Sequence, residues 1–390
     1  MKTKILYSKR FTYAKPEWVG LIKAGTLGAA VMLSLASTAS MASTEADSTS
    51  TAVTGAKSPA NMATKARDMP AQSHVTSTDV TAIQAHIRRT LTEAGIKPAI
   101  LSIVPSELPS MYQVNLQGMP PLHITADGRH ALQGTLQPNP SPKLTIVPSE
   151  PASQSQVGMP VSDELRQSML KNMSMLENMS AQIPLYHTSI PGLIWGMTVD
   201  ETPFITTTDA SVFTDGEIFT IEDGQINELD ENFERQKNRQ IFAQLDEQEL
   251  IIYPATTAQR AVVYVATDIN CPYCRRFHKL IPKLNAKGIT IKVIGFPVYE
   301  ESFEPMRQIW CKTESTARKQ ALDAAMTGQK VANTCSAVQG EEDKTNNLLA
   351  NQLKAKGLVV IATPMIFRED GTPYQASFES AEFLEFLHVN

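Results

Sequence analysis

Apolar residues in the first patterned stretch of the chain follow a helical spacing and then form short extended runs. Residues 79–94 carry apolar side chains three or four positions apart. Apolar runs at 100–104, 111–116 and 122–125 then predict strands, and a turn leads into a last strand that ends near Leu136. One helix followed by a small antiparallel sheet predicts a compact α+β module.

This pattern recurs at a fixed offset of 82 residues. Three apolar positions on the first helix have counterparts on a second helix: Ile83 and Leu165, Ile87 and Met169, Leu91 and Met173. Prolines and turn residues keep the offset as well: Pro109 and Pro191, Pro121 and Pro203, Asp127 and Asp209, Gly134 and Gly216. The constant offset predicts a tandem duplication, with copies at 77–138 and 161–226. Residues 139–160, rich in Pro and Ser, predict the linker between them.

The carboxyl-terminal pattern is that of a βαβ unit. Residues 262–265 suit a buried strand, a helical pattern follows Cys274, and residues 289–296 predict a second strand. The crossover length suits a parallel pair of strands. Residues 227–250 have apolar side chains on one face and many charges elsewhere, which predicts an exposed amphipathic linker helix before the domain at 251–390.

A proline separates two strand-like pieces late in the chain. Residues 358–361 and 365–367 both have the composition of strands, and Thr363-Pro364 lies between them. A proline between two strands needs an explanation, because it cannot donate to a sheet. A cis bond at Thr363-Pro364 supplies one, since an X-Pro bond adopts the cis form at small cost.

The amino-terminal residues indicate export. A lysine-rich start precedes the apolar residues 24–36, and residues 40–42 (Ser-Met-Ala) form a small-x-small cleavage pattern. Residues 1–42 are therefore predicted to be a signal peptide, with an uncleaved anchor as the alternative because the charged region is long. Residues 43–76, rich in Ser, Thr and Ala, predict a disordered spacer. Export would place the cysteines in an oxidising compartment, where disulfides persist.

Charge and composition exclude some classes of function. The 390 residues carry a net charge of −5 without a run of Lys and Arg, so no nucleic-acid partner is predicted. The histidines are scattered, and neither a metal site nor a cofactor is predicted. Methionines at helical spacing in the second copy are typical of core packing, with a soft-metal site as the alternative. They are Met169, Met173, Met175 and Met179.

The strongest chemical signal is Cys271-Pro272-Tyr273-Cys274, which lies between a predicted strand and a predicted helix. The free amides and the positive end of the helix favour a thiolate at Cys271. Cys274, one turn later, can attack a mixed disulfide formed at Cys271. Pro272 suits an early helical position, which has no amide acceptor to lose. The motif predicts a redox pair; half of a zinc site and a purely structural disulfide are the alternatives.

The remaining cysteines, Cys311 and Cys335, lie singly and 24 residues apart. In an oxidising compartment we expect them to form a structural disulfide with each other. Such a bridge would stabilise the fold by roughly 3 kcal/mol in the loop-entropy model. A second redox pair is the alternative, although no local activating feature is visible.

Several segments together resemble a known family. A strand, a Cys-x-x-Cys at a helix start and a late Thr-Pro are similar to the thioredoxin fold. Residues 250–387 more specifically resemble the periplasmic disulfide isomerases DsbC and DsbG. The motifs that carry this likeness are TDINCPYC, GFP at 295–297, IWC at 309–311, the lone Cys335 and ATP at 362–364. LHITADGRHALQGTL at 122–136 resembles the cystatin-like dimerisation domain of that family.

The resemblance implies a fold class and a role for each site residue. The fold would be a thioredoxin-like α/β domain with a helical insertion, preceded by two small cystatin-like α+β domains and a linker helix. Cys271 would be the exposed nucleophile that attacks a substrate disulfide, and Cys274 the buried resolving thiol. Thr363 and Pro364 would lie against the cysteine pair, and the Thr363 backbone would hold an extended substrate chain.

The resemblance also implies partners. Disulfide-containing exported proteins would be the substrates, and a membrane-bound thiol reductant of the DsbD type would keep Cys271 reduced. The family carries one small domain per chain and pairs two chains through it. The duplication therefore predicts a homodimer with longer arms or, alternatively, a monomer in which the two copies pair within one chain.

Other functions stay open at this point. The same two cysteines would serve a reductase of cysteine sulfenic acids. A chaperone that binds unfolded chains is an alternative of another class. Arg275, Arg276 and His278 follow the motif and either tune the thiolate or lie in solvent.

Overall fold

The computed structural model describes residues 77–145, 156–199, 202–334 and 357–389. The predicted signal and spacer lie outside these ranges, as do Cys335 and part of the linker between the copies. Among the described helices, none is both long and apolar enough to cross a membrane.

The first copy begins with a helix and continues as antiparallel strands. It comprises α1 (Ser77–Glu93), β1 (Ile100–Pro105), β2 (Met111–Leu116), β3 (Leu122–Thr125), β4 (His130–Gln133) and β5 (Gln137–Pro138). Ile87 and Leu91 are fully buried and pack against Val114 and Ile124 of the sheet. The helical spacing seen in the sequence thus forms the face of α1 that covers the strands.

The second copy repeats this order of elements. It comprises α2 (Asp163–Asn172), β6 (Leu185–His187), β7 (Leu193–Met197), β8 (Pro203–Thr207), β9 (Val212–Thr214), β10 (Glu217–Glu222) and β11 (Gln225–Asn227). Ser162 caps α2 by accepting a hydrogen bond from the Leu165 amide. Met169 and Met173 are fully buried in the core of this copy, whereas Met175 is exposed.

Matching turns show that the copies share local chemistry as well as pattern. The Thr125 hydroxyl donates to Asp127 Oδ1 at 2.6 Å in the turn between β3 and β4. At the corresponding turn of the second copy, the Thr207 hydroxyl donates to Asp209 Oδ1, also at 2.6 Å. Both turns therefore use the same Thr and Asp positions, 82 residues apart.

The two copies exchange strands. One sheet has the order β1-β2-β3-β4-β10-β11, and the other has the order β5-β9-β8-β7-β6. Strand β10 of the second copy pairs antiparallel with β4 of the first, and β5 of the first pairs antiparallel with β9 of the second. Each copy thus contributes one strand to the sheet of the other, although the copies are consecutive along the chain.

A linker helix, α3 (Glu231–Ala243), leads to the carboxyl-terminal domain. The expectation of an exposed linker helix is wrong for one of its faces. Lys237 is fully buried, with Nζ 3.9 Å from the centroid of the Trp195 ring and 2.8 Å from Glu234 Oε1. Phe242 stacks on Tyr264 of the next domain at 4.1 Å between centroids. The helix is buried because the second copy and the carboxyl-terminal sheet both pack on it.

The carboxyl-terminal domain is built on one mixed sheet. Its strands are β12 (Ile251–Tyr253), β13 (Ala261–Thr267), β14 (Ile289–Gly295), β15 (Met365–Arg368) and β16 (Pro373–Tyr374), in the order β12-β14-β13-β15-β16. Its helices are α4 (Pro272–Ala286), α5 (Phe303–Trp310), α6 (Ser315–Met326) and α7 (Glu382–Phe386). Strands β13 and β14 are parallel and joined through α4, as predicted for the βαβ unit.

Residues 358–361, predicted to begin a strand, form none. Leu358 is buried in a cluster that includes Tyr186 and Trp195 of the second copy. Gly357 lies so close to these rings that an added Cβ would be 2.9 Å from Trp195 and 3.1 Å from Tyr186. Leu358, Val359 and Val360 are apolar because they pack in the cluster shared with the second copy, whereas Ile361 is exposed.

Candidate active site

The Cys271 thiol lies where β13 ends and α4 begins. Cys271 is the residue that caps the helix, Pro272 occupies its first turn, and the Cys271 sulfur accepts from the Cys274 amide at 3.5 Å. The positive end of a helix stabilises negative charge on an acceptor in this position. The sequence therefore places the Cys271 sulfur at the amino end of a helix, with a backbone amide directed at it.

The expectation of an exposed nucleophile is wrong for the side chain in this structure. Cys271 is only 4% exposed. Its sulfur donates to the carbonyl of Thr363 at 3.0 Å, so the segment that carries Thr363 covers it.

The Cys274 thiol lies beneath Cys271 and is 1% exposed. Burial raises the pKa of Cys274 to about 12, although hydrogen bonds from the backbone of Asp268 and the side chain of Thr267 oppose the rise. Both motif cysteines are free thiols. Cys274 is therefore a neutral thiol at physiological pH.

The raised pKa of Cys274 predicts alkaline destabilisation of the reduced protein. The unfolded thiol, with an ordinary pKa of 9.0, loses its proton at a lower pH than the folded thiol does. The resulting stability is present below about pH 9 and disappears as pH rises towards 12. We expect the free energy of unfolding to fall by about 2 kcal/mol more in the wild type than in Cys274→Ala between pH 7 and about pH 10.5. Denaturant titrations measure both, and equal losses would contradict the assignment.

The peptide bond between Thr363 and Pro364 is cis, which confirms the prediction made from the sequence. It directly precedes β15, whose Met365 pairs with Ala266 of β13. The Thr363 carbonyl thereby lies beside the Cys271 sulfur, at the carboxyl end of β13, the central strand that leads into the motif. The structure brings together Cys271, Cys274, Thr363 and Pro364, residues separated by about ninety positions in sequence.

Asp268 is a site residue that the sequence reasoning missed. Its side chain is fully buried, and Oδ1 accepts from the Asn270 amide at 2.7 Å and the Ser302 hydroxyl at 2.6 Å. Oδ2 accepts from the amides of Val298 and Tyr299. One carboxylate thus ties the loop before Cys271 to the loop after β14. The sequence feature that could have revealed Asp268 is its position in TDINC, as a polar residue directly after a buried strand.

We expect Asp268→Ala to lower the free energy of unfolding by at least about 2 kcal/mol, since each buried donor without an acceptor costs about 1–3 kcal/mol. Asp246→Ala is the matched control, because Asp246 also accepts from a backbone amide but at an exposed position. Thermal or denaturant unfolding measures the difference. Equal losses in both variants would show that the buried carboxylate does not hold the loops together.

The three basic residues after the motif have other contacts. Arg275 donates to the Ile269 carbonyl at 2.8 Å, and Arg276 lies over the Tyr273 ring at 4.4 Å. His278 is 3.1 Å from Asp323, and burial lowers its pKa. The structure shows Arg275 and His278 holding parts of the fold and Arg276 half-exposed beside Tyr273.

Cys311 is disulfide-bonded. Cys335, its expected partner, lies outside the described residues. Within the described ranges, no group of three or more His, Cys, Asp or Glu side chains is placed to hold a metal ion. In this part of the chain, the structure brings no further ligand of that kind to Cys271 and Cys274.

Comparison with protein families identifies both types of domain. A model of the thioredoxin-like domain matches residues 247–388. A model of the disulfide bond isomerase protein N-terminal domain matches residues 73–137. The chain thus carries a thioredoxin-like domain, preceded by a domain of the disulfide bond isomerase N-terminal type. The second copy lies between the two matched ranges.

Curated relatives are similar to the chain over part of their length. The thiol:disulfide interchange protein DsbC of Escherichia coli (strain K12) is 31% identical over 156 residues, which cover 38% of this chain and 61% of that protein. DsbC of Dickeya dadantii (strain 3937) is 32% identical over 128 residues, which cover 32% of this chain and 48% of that protein. The chain spans less than two thirds of either relative.

Solved structures show more distant likenesses. A disulfide interchange protein from Neisseria gonorrhoeae is 17% identical with a TM-score of 0.28, covering 37% of this chain and 100% of that one. DsbG of Helicobacter pylori is 12% identical with a TM-score of 0.28, covering 53% of this chain and 100% of that one. TM-scores of this size support no conclusion about function.

Proposed function

We propose that the protein is a periplasmic thiol-disulfide oxidoreductase that isomerises or reduces non-native disulfides in exported proteins. The observation that carries this proposal is the arrangement of three atoms. The Cys271 sulfur caps a helix, lies 3.0 Å from the Thr363 carbonyl and is in contact with the side chain of Cys274. This arrangement suits attack on a disulfide held along the Thr363 backbone.

The reaction begins when the Cys271 thiolate attacks one sulfur of a substrate disulfide. A mixed disulfide between Cys271 and the substrate forms, and the other substrate sulfur leaves as a thiolate. A second substrate thiolate can then attack the mixed disulfide, which creates a new substrate disulfide and returns the Cys271 thiolate. This route isomerises the substrate without any net transfer of electrons.

The second route reduces the substrate. Cys274 loses its proton and attacks the Cys271 sulfur of the mixed disulfide, which releases the substrate as a thiolate. The substrate disulfide gains two electrons, and Cys271 and Cys274 become a disulfide. A membrane-bound thiol reductant of the DsbD type would return the pair to two thiols.

The buried thiol of Cys274 favours the isomerisation route. Because burial raises the pKa of Cys274 to about 12, only a small fraction is thiolate at neutral pH. Attack by Cys274 is slow under these conditions, and the mixed disulfide persists. A substrate thiol then has time to attack before the substrate is released in its reduced form.

Exposed apolar side chains near the thiol support unfolded proteins as substrates. Three segments next to Cys271 carry them: Tyr273 in the motif, Val298, Tyr299 and Phe303 after β14, and Ile361 before Thr363. The segment after β14 is held to the motif loop by Asp268 and by a 2.9 Å bond from Asn270 to Ser302. Apolar side chains displayed by an unfolded chain would bind such a surface.

The amino-terminal sequence supports a periplasmic location. Its basic start, apolar run and small-x-small pattern are those of a secretory signal. An oxidising compartment is also where exported proteins acquire wrong disulfides that need repair.

Three assays run side by side test the proposed function. They measure the recovery of a scrambled multi-disulfide protein, the reduction of a stable disulfide, and the reduction of a cysteine sulfenic acid. We expect the reduced protein to accelerate recovery of the scrambled protein well above an equal concentration of glutathione. If it accelerated only sulfenic acid reduction, the isomerase proposal would fail and the alternative enzyme would replace it.

A further inference from the structure

We propose that the two amino-terminal copies are each other's dimerisation partner, so that the protein works as a monomer with a single catalytic domain. The strand edges with which a second chain could pair, β4 and β9, are already paired with β10 and β5 of the same chain. This inference runs against the homodimer predicted from the sequence. It concerns assembly and goes beyond the proposed activity, on which it does not depend.

The strand exchange is reciprocal under the offset of the duplication. Adding 82 to β4 gives β9, and adding 82 to β5 gives residues within β10. The pairing of β4 with β10 and the pairing of β9 with β5 are therefore the same contact made twice, with the copies interchanged. Such reciprocity is the property of an interface with two-fold symmetry. Here both halves of that interface belong to one chain.

Two equivalent glycines meet at the crossing point. A Cβ added to Gly134 would lie 2.7 Å from Cα of Gly216, and a Cβ added to Gly216 would lie 3.1 Å from Cα of Gly134. A residue that contacts its own counterpart lies on the axis of a two-fold interface. Glycine at both positions allows the two chain segments to cross at this distance.

After β5, the chain continues along the second copy. The Asn139 amide donates to the Ser211 carbonyl at 2.8 Å, and the Asn139 side chain donates to the Ala210 carbonyl at 2.8 Å. The linker thus starts within the second copy. A covalent tether of this kind gives the second copy an effective concentration in the millimolar range. A second chain at micromolar concentration would compete about a thousandfold less well for the same strand.

The two copies differ where the catalytic domain docks. In the second copy, Trp195 and Tyr186 are buried against Gly357 and Leu358. The equivalent positions of the first copy are Gln113 and Val104, and Val104 is 41% exposed. One copy therefore carries an aromatic docking face and the other does not. This asymmetry agrees with a chain that carries one catalytic domain for two copies.

Engineered disulfides test the proposal without any readout of activity. In a Cys271→Ser, Cys274→Ser background, Gln133→Cys with Glu217→Cys places two thiols opposite each other across β4 and β10. Val104→Cys with Gln113→Cys is the matched control, because that pair joins β1 and β2 within the first copy. The products are separated on a non-reducing gel, and light scattering gives the mass of the unmodified protein.

We expect both pairs to link within one chain and the unmodified protein to have the mass of one chain. Two-chain products from the Gln133 and Glu217 pair, with single-chain products from the control, would show exchange between chains and overturn the proposal. A two-chain mass of the unmodified protein would overturn it as well. Neither experiment measures the proposed activity, which the recovery of a scrambled protein tests separately.

Discussion

Replacing Cys271 by Ala will abolish the repair of scrambled disulfides. The Cys271 sulfur is the group that receives the substrate, and no other described thiol lies against the Thr363 carbonyl. Loss of a nucleophile removes the covalent route, so we expect the rate above background to fall on the order of a hundredfold or more. Recovery of a scrambled multi-disulfide protein measures this rate.

A client without cysteines provides the control for the Cys271→Ala variant. Binding of such a client through the apolar surface needs no sulfur, so suppression of its aggregation should be unchanged. Cys271→Ser, which preserves the size of the side chain, should behave in the same way. Repair at the full rate in both variants would show that the catalytic sulfur lies elsewhere.

Replacing Cys274 by Ala will separate reduction from isomerisation. Reduction requires Cys274 to release the substrate, so we expect reductase turnover to fall at least about tenfold, towards the rate at which added thiols resolve the mixed disulfide. Isomerisation relies on the substrate's own thiol and should retain a substantial part of its rate. Parallel assays of stable-disulfide reduction and scrambled-protein recovery measure the two. An equal loss of both activities would contradict the separate roles of Cys271 and Cys274.

Much of the catalytic domain could be predicted from local sequence. The run of β-branched residues before Cys271 predicts a strand, and the spacing of apolar residues after it predicts a helix. The two are told apart because apolar residues recur at different periods in strands and helices. The cis bond at Thr363-Pro364 followed from the position of a proline between two apolar runs. The duplication was visible because equivalent turns keep the same residues, as at Asp127 and Asp209.

The pairing of the two copies could not be predicted in the same way. A strand pattern shows which face of a strand is buried, and it does not show which strand lies beside it. Since the copies have similar patterns, β10 could pair with β9 of its own copy or with β4 of the other. The register of β10 on β4 decides between these possibilities, and it is visible only in three dimensions.

Tertiary contacts also explain the local errors. Leu358 has the apolar character of a strand residue because it packs against the second copy. Lys237 has the charge of a surface residue, yet Trp195 and Glu234 enclose it. Cys271 was expected to be exposed, and the carbonyl of Thr363 covers its sulfur.

Trapping the mixed disulfide tests the central claim most directly. Reduced Cys274→Ala protein is mixed with a disulfide-containing unfolded client, quenched with an alkylating agent and analysed by intact mass and peptide mapping. The account predicts one client per chain, linked through Cys271. An adduct on Cys311 or Cys335, or no adduct while the wild type remains active, would contradict it.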